Sequence, residues 1–264
     1  MIKGVYKRLP EPAKPFAEAV YDKIFRSGSP ELREEFIEIF FRNVREFEDY
    51  ANEFDISVAN MQSERMDEFY EMVPENQATF GGMNMEQARC LYAIIRSKRP
   101  EVIVETGVCN GVSTLVILMA IERNQIGTLY SIDYPTFSDD PMPEFQARQY
   151  PDDHTFSAIP KGKSPGWIIP DRLRGHWELR TGKSQRELPP LLAELEKINM
   201  FIHDSDHTFP CMMFEYEIAW DFLKSPGILL SDDINTNNAF ETFGETRTEQ
   251  YGEAYPGLGY ALKQ

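Results

Sequence analysis

EVIVETGVCNGVST, residues 101–114, runs from an apolar stretch into a pair of glycines and then into hydroxyl side chains. EVIVETG (101–107) reads as a buried strand, and GVSTLVILMAIER after it as a helix. Gly107 and Gly111 frame a tight loop between the two, where backbone N–H groups can approach a ligand closely. The spacing is not the GxGxxG that cradles a pyrophosphate, so a nicotinamide dehydrogenase fits poorly. An acid, Glu105, precedes the glycines, which suits a cationic or hydroxyl-rich ligand better than a diphosphate.

The same rhythm continues on both sides. NMEQARCLYAIIRSKRP (84–100) reads as a helix, TLYSID (128–133) as a second strand, and HWELRTG (176–182), NMFIHD (199–204) and GILLSDD (227–233) as three more. Helical patterns fall at 185–197 and 211–223, and the terminal LGYALKQ reads as a last strand. Alternating strand and helix predicts an α/β fold: a Rossmann-like, doubly wound, mostly parallel sheet of seven strands. In such open sheets ligands sit beyond the C-terminal strand ends. Asp133 closes the second strand, at a distance from the glycines typical of ribose-hydroxyl recognition.

Two segments break the rhythm. Residues 1–75 are helical in pattern and are expected to form a cap or dimer-forming layer ahead of a domain over 76–264. PELREEFIEIFFRNVREFEDYANEF (30–54) spaces Leu32, Phe36, Ile39, Phe40, Val44 and Phe47 as one helix face, with Pro30 at its start and Ser29 as cap. Residues 134–175 are rich in Pro, Asp and Gly, too long for a simple connection, and read as a lid with some helix near 164–173. Trp167 is either a pocket wall or the centre of a small core within that insert.

Composition bounds the rest. The chain has 264 residues with 42% hydrophobic, enough for a substantial core. Its net charge of −16 argues against a nucleic-acid partner. No apolar run is long enough to span a membrane, and MIKGVYKRLPEPAKPF lacks a signal core, so a cytoplasmic protein is expected. Cys90, Cys109 and Cys211 are odd in number and widely spaced, as in a reducing compartment.

FIHDSDHTF (201–209) and GILLSDDINTN (227–237) each end an apolar run in carboxylates. Neighbouring strand ends would bring Asp204, Asp232 and Asp233 within a few ångströms of one another, which is costly for like charges. A bound Mg²⁺ or Ca²⁺ removes the conflict, because hard cations take oxygen ligands and keep several waters, and Mg²⁺ also leaves sites open for two substrate oxygens. Asn235, Asn237 or Asn238 could add an oxygen. Asp206 is either a cap for the next helix or an orienting partner of His207, and His154, His176 and His203 read as structural or solvated.

On these residues, over roughly 84–264, the chain resembles the class I S-adenosylmethionine-dependent methyltransferases, closest to the metal-dependent small-molecule O-methyltransferases such as the catechol, macrolide-sugar and cephalosporin-pathway enzymes. The resemblance implies that the segment from Glu105 to Gly111, with Gly107 and Asn110, contacts the methionine part of S-adenosylmethionine, ahead of Ser113 and Thr114. It implies that Asp133 holds the ribose and that Ser184 and Gln185, in TGKSQREL (181–188), border the adenine, although many relatives carry an acid where Lys183 stands. Asp204, Asp232 and Asp233 match the metal positions, Asp204 also lying beside the donor. His207, three residues on, matches the base that removes a substrate hydroxyl proton. The expected acceptor is a small molecule with neighbouring hydroxyls, a sugar or glycoside, and the expected assembly a homo-oligomer. Two rival readings stand beside it: a metal-independent methyltransferase forming carboxyl esters, and a donor-binding protein without turnover.

Overall fold

The computed structural model describes residues 30–60, 83, 85–137, 140 and 158–264. The 1–16 stretch, Ser29 and residues 138–139 and 141–157 of the expected lid, His154 among them, lie outside the described residues. The expected order of elements is present. After α1 (Pro30–Phe40), α2 (Val44–Asn60) and α3 (Met85–Lys98) come β1 (Val102–Thr106), α4 (Val112–Asn124) and β2 (Thr128–Asp133). A 3-10 turn (Asp171–His176) leads into β3 (Trp177–Thr181), α5 (Ser184–Leu195), β4 (Ile198–His203), α6 (Phe209–Phe222) and β5 (Leu223–Ser231). The chain closes with α7 (Ala239–Arg247), β6 (Tyr251–Tyr255) and β7 (Leu258–Lys263).

The seven strands form one sheet in the order β3-β2-β1-β4-β5-β7-β6. The first five pair in parallel, β7 runs antiparallel to β5, and β6 runs antiparallel to β7. β6 has no counterpart in the sequence reading, because YGEAY carries glycine and charge instead of an apolar run. The alternation of strand side chains explains why the central strands read as continuous apolar runs: both faces are covered. Ile103, Met200, Ile202, Ile228 and Leu230 pack in one core with α1 to α4. Val104, Phe201, Leu229 and Ala261 pack in the other, with α5 to α7.

The single helix expected over 30–54 is two helices. Its first part ends with the Phe41 amide bonded to the Ile37 carbonyl, and Asn43 restarts it by accepting the Glu46 N–H at 3.1 Å. The break rotates the face, so Phe36, Phe40 and Phe47 are buried as expected while Val44 is 48% exposed. The helices lie on the sheet's first core, where Phe40 meets Tyr260 edge-on at 5.3 Å. The expected helix near 164–173 is a series of turns followed by the 3-10 turn. No helix among the described residues is long and apolar enough to cross a membrane.

Candidate functional site

The C-terminal ends of β1, β2, β4 and β5 bring the sequence-predicted residues together. Alternation decides which way each one faces. Glu105 lies on the face toward α4, is fully buried, and its two oxygens accept Ser113 Oγ, Thr114 Oγ1 and Ser131 Oγ, each at 2.8 Å. Burial pushes its carboxyl up to about 7, against the pull of those three hydroxyls. These bonds of Glu105 tie β1 to α4 and β2. Ser113 and Thr114 serve it as donors.

That shift has a measurable consequence. The folded value lies above the unfolded one, so the folded state holds the extra proton between about pH 4.5 and 7 and stability falls as pH rises through this window. Glu105→Gln removes the penalty while keeping an acceptor oxygen. Its stability relative to the parent will rise by about 2 kcal/mol from pH 5 to pH 8 in urea titrations; parallel pH curves would refute this.

The glycine loop is shaped by close backbone approach. Gly107 has φ +88°, donates its N–H to the Ile132 carbonyl at 2.8 Å, and lies against the backbone of Asp204. Asn110 is fully buried: its Oδ1 accepts the Trp167 indole N–H at 2.6 Å and its Nδ2 donates to the Ala158 carbonyl at 3.2 Å. It therefore clamps the 158–167 segment over the loop. Trp167 is buried in the core shared with α1 to α4, not in a separate small core of the insert. Gly111, at φ +100°, precedes α4 and faces the Cα of Gly166.

Asp133 differs from Glu105 in one respect. Its Oδ1 accepts the N–H groups of Val108 at 2.9 Å and Cys109 at 3.3 Å, but its buried Oδ2 has no partner among the described residues. Burial raises its pKa against those two N–H bonds. A buried carboxylate oxygen without a donor is costly, and such an exception calls for a ligand. Nearby, Lys183 precedes α5 with its Nζ 5.3 Å from the Tyr134 ring centroid. Ser184 and Gln185 begin that helix and lie against Cys211, the Gln185 amide reaching its sulfur at 3.2 Å.

At the other end Asp204 follows β4, and Asp232 and Asp233 follow β5. The amide of Asp232 bonds to the His203 carbonyl and that of Asp204 to the Thr106 carbonyl, both at 2.9 Å. Burial, then Asp232, Glu105 and Asp233, hold Asp204 well above the usual carboxylate range. Burial and Asp233 push Asp232 up to about 6, and burial raises Asp233, whose backbone sits at φ +51°. Gln87, unremarked in the sequence, reaches across from α3 to donate to Asp232 Oδ1 at 3.2 Å. Among the described residues no group of three His, Cys, Asp or Glu side chains converges as a preformed metal cage. Carboxylates are the oxygen donors that a hard cation takes; Asp204, Asp232 and Asp233 have raised proton affinity, and among the described residues only the His207 ring is in ion-pair range of them. Asn237 is committed elsewhere, donating to the His207 carbonyl at 2.9 Å and accepting the Ala239 N–H at 2.8 Å.

His207 stands between the carboxylates, its Nε2 4.0 Å from Asp204 Oδ1 and its Nδ1 3.7 Å from Asp233 Oδ2. The side chain is 22% exposed, yet Nε2 is enclosed and has no hydrogen-bond partner among the described residues. Burial, then His203, push its pKa down to about 3, so the ring is neutral and one nitrogen is open to a proton. Asp206 accepts the Thr208 N–H at 3.1 Å at the entry to α6, a turn-forming role. Beneath them lies a residue the sequence reading did not single out. Glu215 of α6, fully buried, pairs with His203 Nδ1 at 2.6 Å. Burial would raise its proton affinity, but His203 and the hydroxyls of Ser184 and Thr106 hold it below the usual range.

Residues 104–234 match the family described as a methyltransferase domain, a span running from β1 to just past β5 that contains Asp133, Asp204, His207, Asp232 and Asp233. The chain carries a methyltransferase domain. The fold of this methyltransferase is similar to that of a solved methyltransferase. The SAH-bound methyltransferase PaMTH1 of Podospora anserina aligns over 76% of this chain and 89% of its own, with a TM-score of 0.50 and 12% identity. The O-methyltransferase TomG of Streptomyces achromogenes, involved in tomaymycin synthesis and solved with SAM, aligns over 88% and 95%, with a TM-score of 0.48 and 14% identity. No curated protein sequence matches the chain.

Proposed function

We propose that this methyltransferase moves the methyl group of S-adenosylmethionine to a hydroxyl of a small molecule, a sugar or glycoside, assisted by a divalent cation. The observation that carries the donor assignment is Asp133: a buried carboxylate oxygen with no partner among the described residues, at the end of β2 beside the glycine loop. Ribose hydroxyls are the donors it lacks. Solved relatives of the same fold hold SAH or SAM, which supports the donor.

The donor supplies an electrophilic methyl on sulfur, and the chain supplies positioning and a proton acceptor. The Val108 and Cys109 amides fix the Asp133 carboxylate through Oδ1, leaving Oδ2 to accept the ribose hydroxyls it would hold. Asp204, Asp232 and Asp233 are the residues that would hold Mg²⁺, whose charge lowers the proton affinity of a bound hydroxyl. His207 takes the acceptor's proton at Nε2, and the carboxylates of Asp204 and Asp233 offset the positive charge that results. Burial keeps the imidazole neutral, which is the form a base requires.

Calorimetric titration with S-adenosylmethionine tests the donor. Binding is expected in the parent chain, weakened at least about tenfold in Asp133→Asn, which loses the charge-assisted acceptor. No heat with the parent would end the donor assignment. Dialysis against a chelator tests the cation: transfer of tritiated methyl to a vicinal-diol acceptor should fall more than about tenfold and return with Mg²⁺. Undiminished transfer would favour the metal-independent reading, and binding without transfer to any acceptor the non-catalytic one.

A further inference from the structure

The ladder register aligns the last residues of three strands. Thr106 of β1 is level with His203 of β4, which is level with Ser231 of β5. All three face α6. Thr106 Oγ1 donates to Glu215 Oε2 at 2.5 Å, His203 Nδ1 lies 2.6 Å from the same oxygen, and the Ser231 and Tyr216 hydroxyls bond at 2.6 Å. Each residue after this polar row belongs to the site: Gly107, Asp204 and Asp232. Glu215 reaches further, its Oε1 accepting Ser205 Oγ at 2.8 Å, inside the loop that carries Asp204 and His207.

We propose that Glu215 is a positioning residue, fixing the 204–207 loop through Ser205 and His203 so that Asp204 and His207 are held in register with the β1 loop. One buried carboxylate accepting donors from β1, β4 and the loop has little freedom. Such supporting shells set the precision of the groups above them. The alternative, a carboxylate that merely satisfies buried hydroxyls, would stabilise the whole fold without controlling the loop in particular. The proposal rests on the methyltransferase reading for its consequence and on the hydrogen bonds for its substance.

The test uses the full chain without acceptor: amide hydrogen exchange by mass spectrometry, and histidine ¹⁵N spectra of parent, Glu215→Gln, Glu215→Asp and Ser205→Ala. Peptides covering 201–208 should exchange at least about tenfold faster in Glu215→Gln and Ser205→Ala, the rest of the chain staying within about twofold. The His207 signals should move in both, those of His176 in neither, and Glu215→Asp should recover part of the change. Exchange that rises evenly over the chain, or a His207 spectrum identical to the parent in Ser205→Ala, would overturn the positioning role. Should Glu215→Gln fail to fold, Ser205→Ala, which deletes the loop tie alone, decides the matter. Failure of the parent to bind S-adenosylmethionine would sink the donor reading and leave this result standing.

Discussion

Gly107→Ala will cost this protein more than about 4 kcal/mol of stability and leave little folded chain at 37 °C. An added Cβ would lie 1.8 Å from the Asp204 carbonyl oxygen and 2.5 Å from its carbonyl carbon. Those are backbone atoms, so no rotamer change relieves the overlap. The loop after β1 and the segment after β4 would have to separate, straining the bonds from the Gly107 amide to Ile132 and from the Asp204 amide to Thr106. The φ of +88° adds the ordinary cost of a left-handed alanine, about 1 kcal/mol. Gly162 isolates that second contribution: its φ is +81° and nothing lies within 4 Å of its would-be Cβ. Gly162→Ala should therefore lose only about 1 kcal/mol. Urea midpoints of the two variants measure the contrast, and a near-parental midpoint for Gly107→Ala would mean that the two strand ends are not in contact.

The second large effect has opposite signs for stability and for chemistry. Asp204→Asn should stabilise the fold by about 1–2 kcal/mol at pH 8 while lowering methyl transfer by about 100-fold or more. Burial and the neighbouring Asp232, Glu105 and Asp233 disfavour the Asp204 carboxylate, so its folded pKa exceeds the unfolded one. The folded state keeps that proton longer, and stability is lost as pH rises through the folded value. Asparagine has no proton to release, so its advantage over the parent should grow with pH and vanish near pH 4. The same substitution removes a carboxylate from the proposed cation set and from the flank of His207. Denaturant midpoints at several pH values and transfer assays with labelled donor check the two arms. A loss of both stability and transfer would mark Asp204 as a structural residue; unchanged transfer would exclude it from the chemistry.

The strand ends were legible in the sequence because a strand buried on both faces must be apolar until it emerges. VIVET, TLYSID and INMFIH announce both the fold and the place where polar residues accumulate. Asp133, Asp204, Asp232, Asp233 and His207 could be picked out there without coordinates. The break at Phe41–Asn43 was not legible, since the apolar spacing over 30–54 continues through it while the Asn43 cap acts locally. β6 was hidden because it lies at the edge of the sheet, where covering by a full apolar face is not required.

The roles within the site divide along a similar line. Side-chain period along the sequence determined which residues could reach the sheet's rim, because a strand's alternation and its burial are written in its own residues. Which of two acids keeps an open oxygen was decided by the tertiary structure alone. Glu105 meets three hydroxyls from α4 and β2, whereas Asp133 meets two amides that occupy one oxygen. Glu215 and Gln87 were likewise invisible beforehand, each being one polar residue on a helix until packing set it 109 or 145 positions away in sequence from its partner. A hydrogen bond's worth depends on what else competes for the same atom, and only the folded chain brings the competitors together.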